Sequence, residues 1–131
     1  MRQRVHLEVM TKNKNKTKRK VVYSRAKYLL NSPKKIQRIA DLIRGKMVSE
    51  ALSILKNLPH RSAALLYKCV FSAQSNAVNN DGMELGRLII SELLVNEGPR
   101  HKRFQPRARG RMFQIIKRTS HIIVGVTEGE S

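Results

Sequence analysis

Acidic residues are the scarcest resource of this chain: nine Asp and Glu stand against 27 Lys and Arg in 131 residues, a formal net charge of +18. Self-repulsion of that size weakens a compact state and draws the chain toward polyanions: nucleic acid, an anionic membrane or an acidic protein. There is a single cysteine, Cys69, which excludes an internal disulfide and the usual multi-cysteine zinc frameworks and fits a reducing compartment. Tryptophan is absent and only 5% of residues are aromatic. The apolar runs fall far short of the roughly 18 to 20 residues a membrane helix needs, and the N-terminus lacks the apolar segment of a secretory signal. A soluble, intracellular protein is expected.

Enzymatic chemistry is also missing its parts. The acids Glu8, Asp41, Glu50, Asp81, Glu84, Glu92, Glu97, Glu128 and Glu130 form no acid/base pair visible in the sequence. His6, His60, His101 and His121 are scattered, without a Cys, His or carboxylate at metal-ligand spacing. Gly82, Gly86, Gly98 and Gly110 build no phosphate loop. Cys69 sits among apolar neighbours in a helical stretch and reads as a small buried hydrophobe. Neither catalysis nor a cofactor, metal or small-molecule substrate is expected.

What is present is positive charge, unevenly placed. Residues 1–20 carry Arg2, Arg4, Lys12, Lys14, Lys16, Lys18, Arg19 and Lys20 against Glu8. Such a segment buries too little apolar area to offset its ordering entropy, so it is expected to be disordered alone, serving either as a solubilising or targeting tail or as an RNA-bound arm. Residues 21–97 hold eleven basic residues against six acids and are balanced enough for an ordinary core. From Gly98 to Arg118 come Arg100, Lys102, Arg103, Arg107, Arg109, Arg111, Lys117 and Arg118 without one acid.

The flanks of that last stretch are apolar. Leu88, Ile89, Ile90, Leu93, Leu94 and Val95 precede it, and Ile115, Ile116, Ile122, Ile123, Val124 and Val126 follow, all strand-forming in composition. The basic stretch is therefore expected to be the end of a long β-arm with its turn near Gln105, reaching about 25 Å past the apolar runs at about 3.3 Å per residue. Pro99 and Pro106 mark irregular or edge backbone, and Gly110 permits positive φ or close approach to a sugar-phosphate chain. Arginine, which predominates, suits bidentate phosphate contacts and stacking on unpaired bases. Phe104 either stacks on a base or packs on the arm's own aliphatic stems.

Three helices are expected between. Ser32 as N-cap and Pro33 at the first position start one, with Ile36, Ile39, Ala40 and Ile43 on its stripe and Gly45 as its stop. Val48, Ala51, Leu52 and Leu55 define a second, ending before Leu58-Pro59. The third runs from about Arg61 to Asn79, its stripe Leu66, Val70, Ala73 and Ala77, and the cluster Asn79-Asn80-Asp81-Gly82 ends it. Lys34, Lys35, Arg38 and Arg44 fall mostly off the first stripe, on a face that is either solvated or RNA-facing. Val21 to Tyr28 is a strand joining the sheet or an extended lead-in. The fold class is α+β: three helices packed on a short antiparallel sheet, one long protruding β-hairpin and a basic N-terminal tail. The domain division is 1–20, a basic extension, and 21–131, an RNA-binding domain with its hairpin at 88–124.

At this point the residues carry a resemblance. Pro106-Arg-Ala-Arg-Gly-Arg111 followed by Lys117-Arg-Thr-Ser-His121 and Ile122-Ile-Val-Gly-Val126, with Ser32-Pro33-Lys34-Lys35, Ile43-Arg44-Gly45-Lys46, Glu50-Ala51-Leu52 and Ser75-Asn76-Ala77, resembles the large-subunit ribosomal protein L22 family of bacterial or organellar type. It spans residues 21–127, and residues 1–20 have no counterpart in it. The resemblance implies a constituent of the large subunit of a bacterial cytoplasmic or an organellar ribosome. Its partners would be 23S-type rRNA, neighbouring large-subunit proteins and the nascent peptide.

By match, Lys34, Lys35, Arg44, Lys46 and Asn76 belong to the RNA-facing set of the body, and Arg103, Phe104, Gln105, Pro106, Arg107, Ala108 and Arg109 to a hairpin tip lining the nascent-peptide tunnel. To the rRNA-binding set the charge pattern adds Lys12, Lys14, Lys16, Lys18, Arg19, Lys20, Arg25 and Arg38, and, in and beside the arm, Arg100, Lys102, Arg103, Arg107, Arg109, Arg111, Lys117, Arg118 and His121, so that Arg103, Arg107 and Arg109 stand in both sets. Two other readings of the charge remain: a DNA-binding protein of nucleoid type and a cationic membrane-active protein. The second fits poorly, because the densest charge lies in extended, Pro-containing segments and not on an amphipathic helix.

Overall fold

The computed structural model describes residues 19–130. In chain order these form β1 (Val22–Leu29), α1 (Pro33–Ile43), α2 (Val48–Asn57), α3 (Arg61–Asp81), a 3-10 turn (Leu85–Arg87), β2 (Leu88–Glu97), β3 (His101–Pro106), a second 3-10 turn (Ala108–Gly110), β4 (Met112–Lys117) and β5 (Ser120–Glu128). The class is α+β, with the helices in one block and the main hairpin in another. Lys12, Lys14, Lys16 and Lys18 lie outside the described residues.

The helices form where the apolar period dictates. Ile36, Ile39, Ala40 and Ile43 are the buried side chains of α1; Val48, Ala51 and Leu55 those of α2; Leu66, Val70, Ala73 and Ala77 lie on the buried face of α3. Ser32 holds the N-cap position of α1 in extended backbone, yet its hydroxyl makes no cap. Its carbonyl instead accepts from the N–H groups of Lys35 and Ile36, while the Asn31 side chain accepts from the Ser32 N–H. Gly45 ends the α1 turn at φ +79° and Gly82 caps α3 at φ +63°, a region that costs a residue with a Cβ.

Val22–Leu29 is a full strand and takes an edge of a three-stranded antiparallel sheet of order β1-β5-β2. Its inner face carries Val22, Ser24, Leu88, Ile90, Leu93, Ile122, Val124 and Val126, all buried against the helices. Burying each large aliphatic side chain contributes about 1.5–3 kcal/mol, so this one-sided core holds the body together. Alternation along β2 is broken: Ile90 pairs with Val126 but Glu92 pairs with Gly125, a bulge at Ser91 that resets the inward series from 88 and 90 to 93 and 95. That is why Leu93 and Leu94 stand adjacent in the sequence, the first buried and the second half-exposed.

The hairpin is longer at its base and more jointed than the composition suggests. Pairing begins at Leu88–Glu128 and continues to Glu97–Ser120; a second two-stranded sheet then runs from His101–Lys117 to Pro106–Met112. The turn does not lie near Gln105. Gln105 and Pro106 are still in the ladder, and the chain reverses over residues 107–111 because Arg109 (φ +62°) and Gly110 (φ +69°) both take left-handed backbone. The Arg107 N–H closes this turn on the Arg111 carbonyl at 2.7 Å.

Candidate nucleic-acid interface

Between the two sheets lies an elbow made by three observations. Pro99 cannot donate to a ladder, so regular pairing stops there. The Gly98 N–H donates to the Thr119 carbonyl at 2.9 Å, and the Thr119 hydroxyl returns to the Pro99 carbonyl at 2.6 Å. Thr119 is buried, and a Cβ on Gly98 would collide with its Oγ1. Glu97 then reaches across the joint to Arg100 at 2.8 Å and Arg118 at 3.2 Å. Neither Thr119 nor Glu97 stands out in the sequence as a functional residue; only the basic partners on both sides of Glu97 hint at its place.

Beyond the elbow there is no core. Every residue from 99 to 115 is exposed, and Ile116 is half-buried. Phe104 is 62% exposed and Phe113 56%; the Arg107 guanidinium lies 5.8 Å above the Phe113 ring. Lys102, Arg103, Arg107, Arg109, Arg111 and Lys117 have no acidic partner among the described residues. Like charges on so slender a ladder repel, and a surrounding polyanion removes that repulsion.

The cations of the body divide into two kinds. Lys34, Lys35 and Arg38 project from the first half of α1, exposed and without an acidic partner among the described residues. Others are engaged in the fold. Arg44 pairs with Asp41 at 2.6 Å and donates to the Leu93 carbonyl at 3.0 Å, tying α1 to β2. Lys46 pairs with Glu50 at 3.0 Å, Arg19 with Glu130 and Lys20 with Asp81. Asn76 donates to the Tyr23 carbonyl on the edge strand at 3.3 Å, and Arg25 lies over the Tyr23 ring at 5.9 Å. His121 accepts the Tyr28 N–H on Nδ1 at 3.0 Å and meets the Tyr28 ring edge-on at 4.9 Å.

The arm and the body enclose a groove of about 1310 Å³, lined from the body by Leu30, Asn31, Ser32, Lys35, Arg38, Ile39, Leu42, His60, Arg61 and Ser62 and from the arm side by His101, Arg103, Ile116, Lys117 and Arg118. No acid is in that lining. Asn31 organises its floor by donating to the Ser62 hydroxyl at 2.9 Å while its carbonyl accepts from Ser120 at 2.6 Å. The N-termini of α1 and α3 are thereby held side by side, both without a side-chain cap. The positive ends of the two helix dipoles add positive potential at one end of the groove. Arg61, Leu30 and Leu42 escape a sequence reading because only tertiary packing brings them beside the arm.

No group of His, Cys, Asp and Glu suited to a metal ion occurs among the described residues, and no helix there is long and apolar enough to cross a membrane. Cys69 is buried, 3.8 Å from the Ser24 hydroxyl, and burial pushes its thiol up from the usual range. What the site offers is charge and shape.

Comparison with known proteins gives that site its context. The family model for ribosomal protein L22p/L17e matches residues 24–127. The large ribosomal subunit protein uL22 of Clostridioides difficile is 52% identical over 79% of this chain and 93% of its own length. Its counterpart in Mycoplasma capricolum is 50% identical over 74% of this chain and 87% of its own length, and that of Clostridium novyi 48% over 79% and 93%. The chain therefore belongs to the ribosomal protein L22p/L17e family, whose members are structural, non-enzymatic proteins of the large ribosomal subunit.

Proposed function

We propose that this protein is built into the large subunit of a bacterial cytoplasmic ribosome, that it binds 23S-type rRNA through its arm and the adjacent face of the body, and that the arm's end helps line the nascent-peptide exit tunnel. The observation that carries the rRNA reading is the acid-free ladder of β3 and β4, exposed at every position but the half-buried Ile116. A strand pair with no core of its own and unpaired cations on both limbs is an element completed by its surroundings. Family membership favours folded rRNA over duplex DNA or a membrane as that surrounding. The rRNA-facing set comprises the arm cations, with Lys34, Lys35 and Arg38 free to join them. Arg44, Lys46, Arg100, Arg118 and Asn76 reach RNA only by giving up or sharing the partners they hold.

The tunnel role falls to Arg103, Phe104, Gln105, Pro106, Arg107, Ala108 and Arg109, and the position of the turn puts Ala108, Arg109 and Gly110 farthest out. Neighbouring large-subunit proteins and the nascent chain are the remaining partners.

The first test is co-sedimentation of the tagged protein with large subunits after a moderate-salt wash; a protein found only in the soluble fraction rejects the reading. For a free rRNA fragment, about ten phosphate contacts give a slope of log K against log salt of about −7 to −9. A slope of about −2 removes the arm and body from the interface. For the tunnel, a photocrosslinker at Gln105 is expected to capture stalled nascent chains in assembled ribosomes.

A further inference from the structure

We infer that the groove between the arm and α1 holds an unpaired stretch of RNA, its bases seated on the exposed leucines of the lining and its phosphates on the cations beside them, while duplex RNA is excluded from it. This rests on the rRNA reading and narrows it to one place and one form of RNA.

The groove has two chemistries that a duplex cannot satisfy together. Its lining is cationic from both sides: Lys35 and Arg38 from α1, Arg103 and Lys117 from the arm. The same lining carries apolar side chains, with Leu30 63% and Leu42 49% exposed. Two leucines left half in water inside a polycationic cleft are a surface built to be covered. A-form RNA presents phosphates and riboses outward and keeps its base faces stacked within, so it offers these leucines nothing apolar. A single strand offers phosphates to the cations and unstacked base faces to the leucines, and guanidinium planes add a further stacking surface. Such a strand would touch arm and body at once, so its binding fixes the angle that the Gly98–Thr119 elbow sets.

The test uses the full-length protein and two labelled RNAs with equal numbers of phosphates: a short unstructured strand and a blunt duplex. The strand is expected to bind at least tenfold more tightly. The double substitution Leu30→Ser and Leu42→Ser, at exposed positions, is expected to weaken the strand about tenfold, near the low end of what covering one aliphatic side chain contributes, and to leave the duplex and the strand's salt slope unchanged. Leu42→Met, which keeps an apolar side chain at that position, is expected to retain strand affinity. Lys35→Gln with Arg38→Gln is expected to reduce the salt slope by about two without abolishing the preference for the strand.

If strand and duplex bind equally and the leucine substitutions change neither, the groove proposal falls while the rRNA reading stands. If neither RNA binds and the protein is absent from large subunits, both fall. Displacement of the strand by a poly-glutamate peptide at lower concentration than by unlabelled strand also overturns the proposal, in favour of an acidic protein segment.

Discussion

One long hairpin, from Leu88 to Glu128, runs through both the body and the arm of this protein, and the elbow at Gly98 and Thr119 divides it into two sheets in two physical regimes. Below the elbow, Leu88, Ile90, Leu93, Ile122, Val124 and Val126 are at most 2% exposed and hold the sheet to three helices. Above it, the same antiparallel pairing continues through six residue pairs with no buried side chain. Backbone pairing is therefore not what distinguishes a stable sheet from a dependent one. A covered face does so, and the arm has none of its own.

The sharpest way to break that comparison is one truncation on each side. Leu93→Ala, at the foot of the hairpin, is expected to cost about 3 kcal/mol of unfolding free energy, because it removes a fully packed side chain and leaves a cavity. Ile115→Ala, on the arm and 37% exposed, is expected to stay within about 0.5 kcal/mol. Urea denaturation of the two variants checks this, and comparable losses would mean that the arm shares the body's stability.

The elbow comes next in size. Gly98→Ala places a methyl group against the Thr119 hydroxyl and about 3.2 Å from the His121 ring, both held by hydrogen bonds. Forcing them apart is expected to cost about 1–3 kcal/mol and to re-aim the arm. Incorporation into large subunits is expected to fall more than stability does, whereas a purely structural role would lower both in proportion.

Gly110→Val sharpens the comparison from the arm's end. Valine in the left-handed region costs about 1–2 kcal/mol, and a single chain reversal carries that strain. Since the arm adds little to folding, the melting temperature is expected to hold while affinity for an rRNA fragment falls about five- to thirtyfold, the same energy expressed in binding. Phe71→Leu, on the exposed face of α3, is expected to change neither. A drop in melting temperature with unchanged affinity would reverse the assignment of Gly110 to the interface.

The same division explains what the sequence discloses. Inside the body, period and burial coincide, so the helices at Ile36–Ile43, Val48–Leu55 and Leu66–Ala77 can be read from spacing, and the strand at 22–29 stands open only because a single edge strand carries a weak alternation. The Ser91 bulge is invisible there, since two adjacent leucines fit an inward and an outward position equally well until the register is known. The position of the turn is hidden in the sequence for a related reason. Gly110 announces its own left-handed backbone, but nothing in Arg109 does, and that second left-handed residue moves the reversal past Pro106. Charge disclosed the arm, whereas the groove depends on Leu30, Leu42 and Arg61, which only the fold brings together.

The smallest effect expected concerns Cys69, and it opposes the two regimes by chemistry instead of stability. Burial raises the Cys69 thiol pKa while the Ser24 hydroxyl works against that rise. A thiol harder to ionise in the folded state than in the unfolded one contributes stability below its ordinary pKa and loses it as pH climbs toward the raised value, so alkaline solution weakens the body slightly. At pH 8, Cys69 is expected to react with iodoacetamide only after urea unfolds the chain. In the Cys69→Ala protein carrying Phe104→Cys, the new thiol stands in the open among cations that favour thiolate, and it is expected to react as fast natively as in urea. Equal native rates at the two positions would mean that the helix α3 face packed on β1 opens as readily as the arm, and the contrast between a covered and an uncovered sheet would lose its meaning.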